Sequence, residues 1–225
     1  MKTMKFSALL LCACFLLASC GMNNTAKGSL IGAGTGTALG ALIGKLSGNT
    51  ALGAGIGAVA GTAAGAIIGK KMDKAKAAAA KIDGATVIAE TDAEGNTTNV
   101  KITLDGGVTF ATGKSTLNAN SKTTLAKFAE QIDPQIDLAI LGFTDNTGSQ
   151  ELNEKLSLAR ANAVADYLKA NGVAYSQIQS VKGLYWQNPV ASNETVEGRA
   201  QNRRVELYLV PSTEMINSAK SATAK

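Results

Sequence analysis

Asp145 and Arg160 put a carboxylate and a guanidinium on neighbouring segments of the chain, the makings of a site for a charged ligand. They sit in Gly142–Arg160, GFTDNTGSQELNEKLSLAR. The apolar run Leu138-Ala139-Ile140-Leu141 reads as a buried strand. It ends in Gly142-Phe143-Thr144-Asp145-Asn146, a turn-rich segment that brings a carboxylate to the strand end. A helix is expected to start near Thr147–Ser149, where Thr147 and Gln150 fit a capping box. That places Asp145 beside a helix N-terminus, where backbone N–H groups favour anions. Leu156, Arg160 and Val164 follow at i, i+4, so a guanidinium interrupts an apolar stripe, with Asn153 two turns away on the same face. A half-buried guanidinium needs an anion. One reading is a structural Asp145–Arg160 salt bridge. The other is a zwitterion site, with Asp145 taking an ammonium and Arg160 a carboxylate as a bidentate pair.

The elements that must position this pair follow from the flanks. Thr86-Val87-Ile88-Ala89 and Val100-Lys101-Ile102-Thr103-Leu104, joined by Glu94-Gly95-Asn96, read as a hairpin. Asn118 to Ile132 is an amphipathic helix with Leu125, Phe128, Ala129 and Ile132 facing the core, and Pro134 stops it. Asn171-Gly172 ends the central helix as a left-handed cap, and 178–183 is a third strand. The last strand is expected over 203–210, with Arg203, Val205, Leu207 and Leu209 on one face and Arg204, Glu206 and Tyr208 on the other. Arg203, at the inward edge of the strand start, is either a third site contact or a structural partner for a carboxylate. This order implies a two-layer α/β sandwich, a mixed sheet with helices on one face. The residues after Pro211 read as a small, polar, mobile tail over 212–225.

Thr144-Asp145, Asn153, Leu156-Ser157 and Arg160-Ala161, followed by Gly198-Arg199 and Asn202-Arg203-Arg204-Val205-Glu206, resemble the peptidoglycan-binding domain of the OmpA C-terminal family. The resemblance covers roughly residues 100–210. It implies that Asp145 and Arg160 hold the amino-acid end of diaminopimelate in a cell-wall stem peptide, with Thr144, Asn153 and Arg203 completing the site. The sequence departs from the family at Phe110-Ala111-Thr112-Gly113-Lys114-Ser115, where the family carries a more acidic, aromatic loop, and at Tyr185-Trp186.

The N-terminal part is different in kind. Met1–Ser19 carries Lys2 and Lys5 before an apolar stretch of signal-peptide length. Leu17-Ala18-Ser19-Cys20-Gly21 resembles the lipobox of bacterial lipoproteins, which implies cleavage before Cys20 and lipidation of its thiol. Gly21 and Met22 favour the outer membrane. Glycines then recur at every fourth position, first from Gly28 through Gly32, Gly36 and Gly40 to Gly44, then from Gly53 through Gly57, Gly61 and Gly65 to Gly69. This GxxxG ladder lets helices approach closely in lipid. It is expected to form a membrane-associating hairpin over 28–72, after a lipidated stretch at 20–27. Lys70–Lys81 reads as a basic, Ala-rich helical spacer, residues 73–84 are expected to be a linker and 85–211 the wall-binding domain.

Composition closes other routes. Aromatics are 4% of the 225 residues, and the net charge of +5 falls to +3 once Lys2 and Lys5 leave with the leader. That is too weak to argue for nucleic acid. The chain has no histidine, which removes imidazole bases, His-containing triads and most zinc sites. With Cys12 and Cys14 in the leader, Cys20 is the remaining cysteine. No metal, cofactor or catalytic residue is expected. The reading is a non-enzymatic, lipid-anchored protein that ties the outer membrane to the wall from its periplasmic side. The alternatives are a membrane-inserting homo-oligomer built on the glycine ladder and a wall hydrolase using Glu151, Glu154 or Asp145.

Overall fold

The computed structural model describes residues 43–46, 48, 61–110 and 114–224, the side chain of Val108 excepted. The expected leader, Cys20 and most of the glycine ladder lie outside these residues.

Five strands form one mixed sheet in the order β1-β2-β5-β3-β4. The expected hairpin is β1 (Ala85–Thr91) and β2 (Thr97–Asp105), paired antiparallel from Ala85 against Leu104. The strand before the site is β3 (Ile136–Gly142); β4 is Ile178–Gly183 and β5 is Arg204–Pro211. β5 runs antiparallel to both β2 and β3, and β3 runs parallel to β4. The last strand therefore lies in the middle of the sheet, hydrogen-bonded on both sides, and all eight of its residues are buried.

Helices cover one face of this sheet. α1 (Ala63–Ala79), α3 (Ala119–Gln131), α4 (Gln150–Ala170) and α6 (Thr213–Thr223) supply the core with Val100, Ile102, Leu104, Leu138, Ile140, Leu207 and Leu209 from the strands. Two short helices, α2 (Gly106–Thr109) and α5 (Val196–Asn202), flank the end of the sheet where β2 finishes and β5 begins. Alternation along β2, β3 and β5 sends every second apolar side chain to this core. Asn118 caps α3 by accepting from Ser121 N, and Leu125, Phe128 and Ala129 face inward as expected.

Three sequence expectations change. Residues 63–79 are helical, as both the ladder and the Ala-rich spacer implied, but α1 is one continuous helix that packs on the domain, with Ile68, Met72, Ala75 and Ala79 in the main core. Gly69 serves close packing of protein on protein, since a Cβ there would meet Asn96 Cβ at 2.9 Å. Small residues on a helix face suit any tight contact, lipid or not. The tail is not free either, because Met215, Ile216 and Ala219 of α6 are buried and Ser212 caps it. Finally, β5 starts at Arg204, and Arg203 is the C-cap of α5. No helix among the described residues is long and apolar enough to cross a membrane.

Candidate functional site

β3 delivers the site. Beyond Gly142 the chain continues as Phe143-Thr144-Asp145, with Phe143 N donating to Arg204 O at 2.9 Å and Thr144 N to Tyr185 O at 2.8 Å. The two strands beside β3 thus hold the backbone just before Asp145. α4 must lie close against the same strand ends. A Cβ on Gly142 would fall 2.0 Å from Ser157 O, and one on Gly183 would fall 2.4 Å from Leu158 N. Gly142 and Gly183 are register partners, so the pair forms a flat seat for the helix. Ser157 completes the seat, accepting from Tyr185 N at 3.2 Å. Gly142→Ala should therefore cost about 1–3 kcal/mol through overpacking, read by thermal melting, and should weaken ligand binding as α4 is pushed off.

The Asp145 carboxylate is buried and held by three donors. Thr147 N donates to Oδ1 at 2.9 Å, the Thr147 hydroxyl donates to the same oxygen, and Arg203 Nη1 reaches Oδ2 at 2.7 Å. Burial acts against the charged form, but the Thr147 and Arg203 hydrogen bonds outweigh it, so the carboxyl titrates below the usual aspartate range.

Two expectations are corrected here. Asp145 pairs with Arg203, not with Arg160. Thr147 does not cap the helix: Ser149 does, accepting from Leu152 N, and α4 begins at Gln150. Thr147 turns back to Asp145, so the carboxylate is fixed by an Asx turn rather than by the first turn of a helix. Asn153 is buried and braces the same loop, its Nδ2 donating to Thr147 O at 2.7 Å and Ser149 O at 3.1 Å. Thr144 is buried with a hydroxyl that lacks a partner.

Arg160 is 4% exposed, yet Nη1 has no hydrogen-bond partner. Its Nε donates to Lys114 O at 3.2 Å, and its guanidinium lies 5.2 Å from the centre of the Phe110 ring. The loop that departs from the family pattern therefore contributes one ring face and one carbonyl to Arg160. Burial and the nearby positive charge of Arg203 lower the guanidinium pKa, with Asp145 opposing them. A buried cation whose donors are incompletely used offers those donors to an anion.

Asp145, Arg160, Arg203, Thr144 and Asn153 all line one cleft of about 550 Å³. Phe110, Leu152 and Leu156 form its apolar wall, and Gly106 and Gly107 its far rim. Gly106 packs on the backbone of Arg203, donating to Arg203 O at 2.8 Å. Of the wall, sequence reasoning named Leu156 and Phe110 but gave them no place in the site, and it missed Leu152 and the Gly142–Gly183 seat. The signal for the seat was present, since glycines end two strands that flank one helix. Tyr185 and Trp186 stack edge-on at 5.2 Å and lie outside the cleft lining. Glu151 and Glu154 are exposed on α4 and do not line it.

A mixed sheet backed by helices, with a charged cleft at the ends of its central strands, defines a small α/β binding domain. Residues 109–203 match the OmpA family, and the chain carries an OmpA-family domain. Residues 1–73 match the YMGG-like Gly-zipper. Over 116 residues the chain is 41% identical to the probable lipoprotein YiaD of Escherichia coli, covering 50% of this chain and 52% of that protein. It is 45% identical over 106 residues to the peptidoglycan-binding protein ArfA of Mycobacterium tuberculosis, covering 46% of this chain and 32% of ArfA. The chain thus spans about half of YiaD and about a third of ArfA. Among solved structures, the cell wall anchor of the type VI secretion system (T6SS) from Pseudomonas aeruginosa superposes with a TM-score of 0.52 at 26% identity. That match covers 63% of this chain and 97% of the anchor.

Proposed function

We propose that this cleft binds peptidoglycan non-covalently through the diaminopimelate of the stem peptide, and that the protein ties the outer membrane to the wall through lipid on Cys20. The observation that carries the reading is Arg160, a buried guanidinium with an unpartnered nitrogen that lines the same cleft as Asp145. A terminal carboxylate of the ligand fills the Arg160 donors. The adjacent ammonium joins Asp145 on Oδ2, where a carboxylate oxygen accepts more than the one bond from Arg203. The aliphatic chain that joins this amino-acid centre to the rest of the stem peptide lies along Leu152 and Leu156. Charge matching supplies the affinity, and no covalent step is required. The name of ArfA and the wall anchor's likeness support the same ligand class.

Titration calorimetry with a diaminopimelate-containing muropeptide tests the reading. Saturable heat is expected, and a lysine-containing muropeptide, lacking the second carboxylate, should bind at least about tenfold more weakly. Equal affinity for both peptides, or no heat with either, overturns it. Because Asp145 stays ionised well below neutrality, affinity should be flat between about pH 5 and pH 8. A loss of binding as pH falls across that window would point to a different anion.

A further inference from the structure

The face of the sheet turned away from the helices is apolar at its centre. Ala139, Leu141, Phe143, Tyr208 and Val210 form a second cluster there, none more than 2% exposed. A two-layer fold with helices on one face leaves such a surface to water unless something covers it. What seats on it is a short piece of this chain, the turn at 43–46. Ile43, 1% exposed, is buried within the cluster, and Leu46 packs against it. Both lie in a helical turn at 43–46, where the first run of glycines ends.

The other end of the ladder is also held. Gly61 N donates to Asp92 Oδ2 at 3.2 Å in the β1–β2 turn, and α1 then enters the main core on the opposite face of the sheet. The chain thus leaves one face at Leu46 and is fixed on the other from Ala63, with a connection too short to reach a bilayer and return as two spanning helices. Lys45, between the two seated residues, is exposed.

We propose that the outer sheet face is the docking surface for the end of the first glycine run, seated through Ile43 and Leu46, and that the chain from Ile43 into α1 clasps the wall-binding domain instead of entering lipid. Lipid on Cys20 would then be the membrane attachment, and the clasp would stiffen the domain. Release of the clasp would expose the Leu141–Phe143–Tyr208–Val210 patch at a cost that lipid contact along a short, lysine-interrupted segment does not offset. The inference stands whether or not the cleft binds diaminopimelate.

The test uses the full lipidated chain in vesicles of outer-membrane lipid composition. Lys45→Cys introduces the one free thiol in a mature chain whose Cys20 is acylated, and carries an environment-sensitive dye. The expected result is quenching by aqueous iodide and none by spin-labelled acyl chains. Quenching by the acyl chains with protection from iodide would overturn the proposal in favour of membrane insertion. Ile43→Asp supplies the second reading. It should lower the melting midpoint of the wall-binding domain by at least about 5 °C, because a buried aliphatic becomes a buried unpaired charge. A shift under about 1 °C would likewise overturn it.

Discussion

Arg160→Met is expected to abolish retention on purified sacculi, weakening muropeptide binding by at least about 100-fold, while leaving the melting temperature unchanged or slightly raised. Loss of one partner of a desolvated, charge-assisted contact typically costs about 2–5 kcal/mol of binding. The stability side has the opposite sign because Arg160 is poorly partnered in the free protein. Among the described residues its side-chain hydrogen bond is a 3.2 Å contact to Lys114 O, and Nη1 has none. Asp145 is not stranded by the change, because Arg203 and Thr147 hold it. Removing a buried, half-satisfied cation relieves desolvation that only the ligand offsets, the usual tension between a binding site and a stable fold. Sedimentation with sacculi and a thermal melt on the same sample separate the two effects. A variant that pellets like the parent rejects the cleft, and one that unfolds shows that Arg160 is structural after all.

The second large effect is on folding. Glu206→Ala should destabilise the domain by about 3–5 kcal/mol and lower its melting point by roughly 6–20 °C. Glu206 lies 2% exposed in the middle of β5 and accepts from Arg204 Nε at 2.7 Å, Lys101 Nζ at 2.8 Å and the Tyr208 hydroxyl at 2.6 Å. Arg204 is itself buried, stacked 3.9 Å from the centre of the Phe143 ring, with its other nitrogens on Asn202 O and Asn188 O. Alanine would leave that guanidinium without its anion. The double change Arg204→Met with Glu206→Met should recover most of the loss, since an apolar pair of similar volume needs no partner. A Glu206→Ala protein within about 1 kcal/mol of the parent would show the network to be dispensable.

The same residue sets an acid response. Burial raises the Glu206 carboxyl, but the Arg204 and Lys101 charges and the hydrogen bonds overcome it and hold the folded pKa below the ordinary 4.5. A depressed folded pKa means that its contribution is complete above the unfolded value and is lost as pH falls through the folded one. Melting temperature should therefore decline below about pH 4.5, and the Glu206→Gln protein should decline less steeply over that range.

Local rules carried far in this chain. The apolar run before Thr144, the turn chemistry after it and the i, i+4 spacing to Arg160 are short-range signals. They placed β3, α4 and the two candidate charges on the correct elements. The hairpin, the α3 core face and the Gly172 end of α4 followed from period and punctuation in the same way. Arg203 was singled out with both of its roles open, and the geometry uses both: it pairs a carboxylate and lines the cleft. The glycine ladder misled past Ala63 because a run of small residues specifies close approach without saying to what. For α6, only three buried side chains stand against a polar remainder, too faint a stripe to read from eleven residues.

Pattern along the chain was enough to tell which side chains share a face, to place β1 to β5, α3 and α4 to within a few residues, and to put an acid and an arginine in one strand–turn–helix unit. Which arginine neutralises that acid was settled by the folded sheet and not by local pattern. Asp145 and Arg203 are remote in sequence and meet because β5 inserts beside β3 in the sheet order. The placement leaves Arg160 buried without an anion. Partner choice between charges depends on distances across the sheet, and no periodicity along the chain encodes those distances.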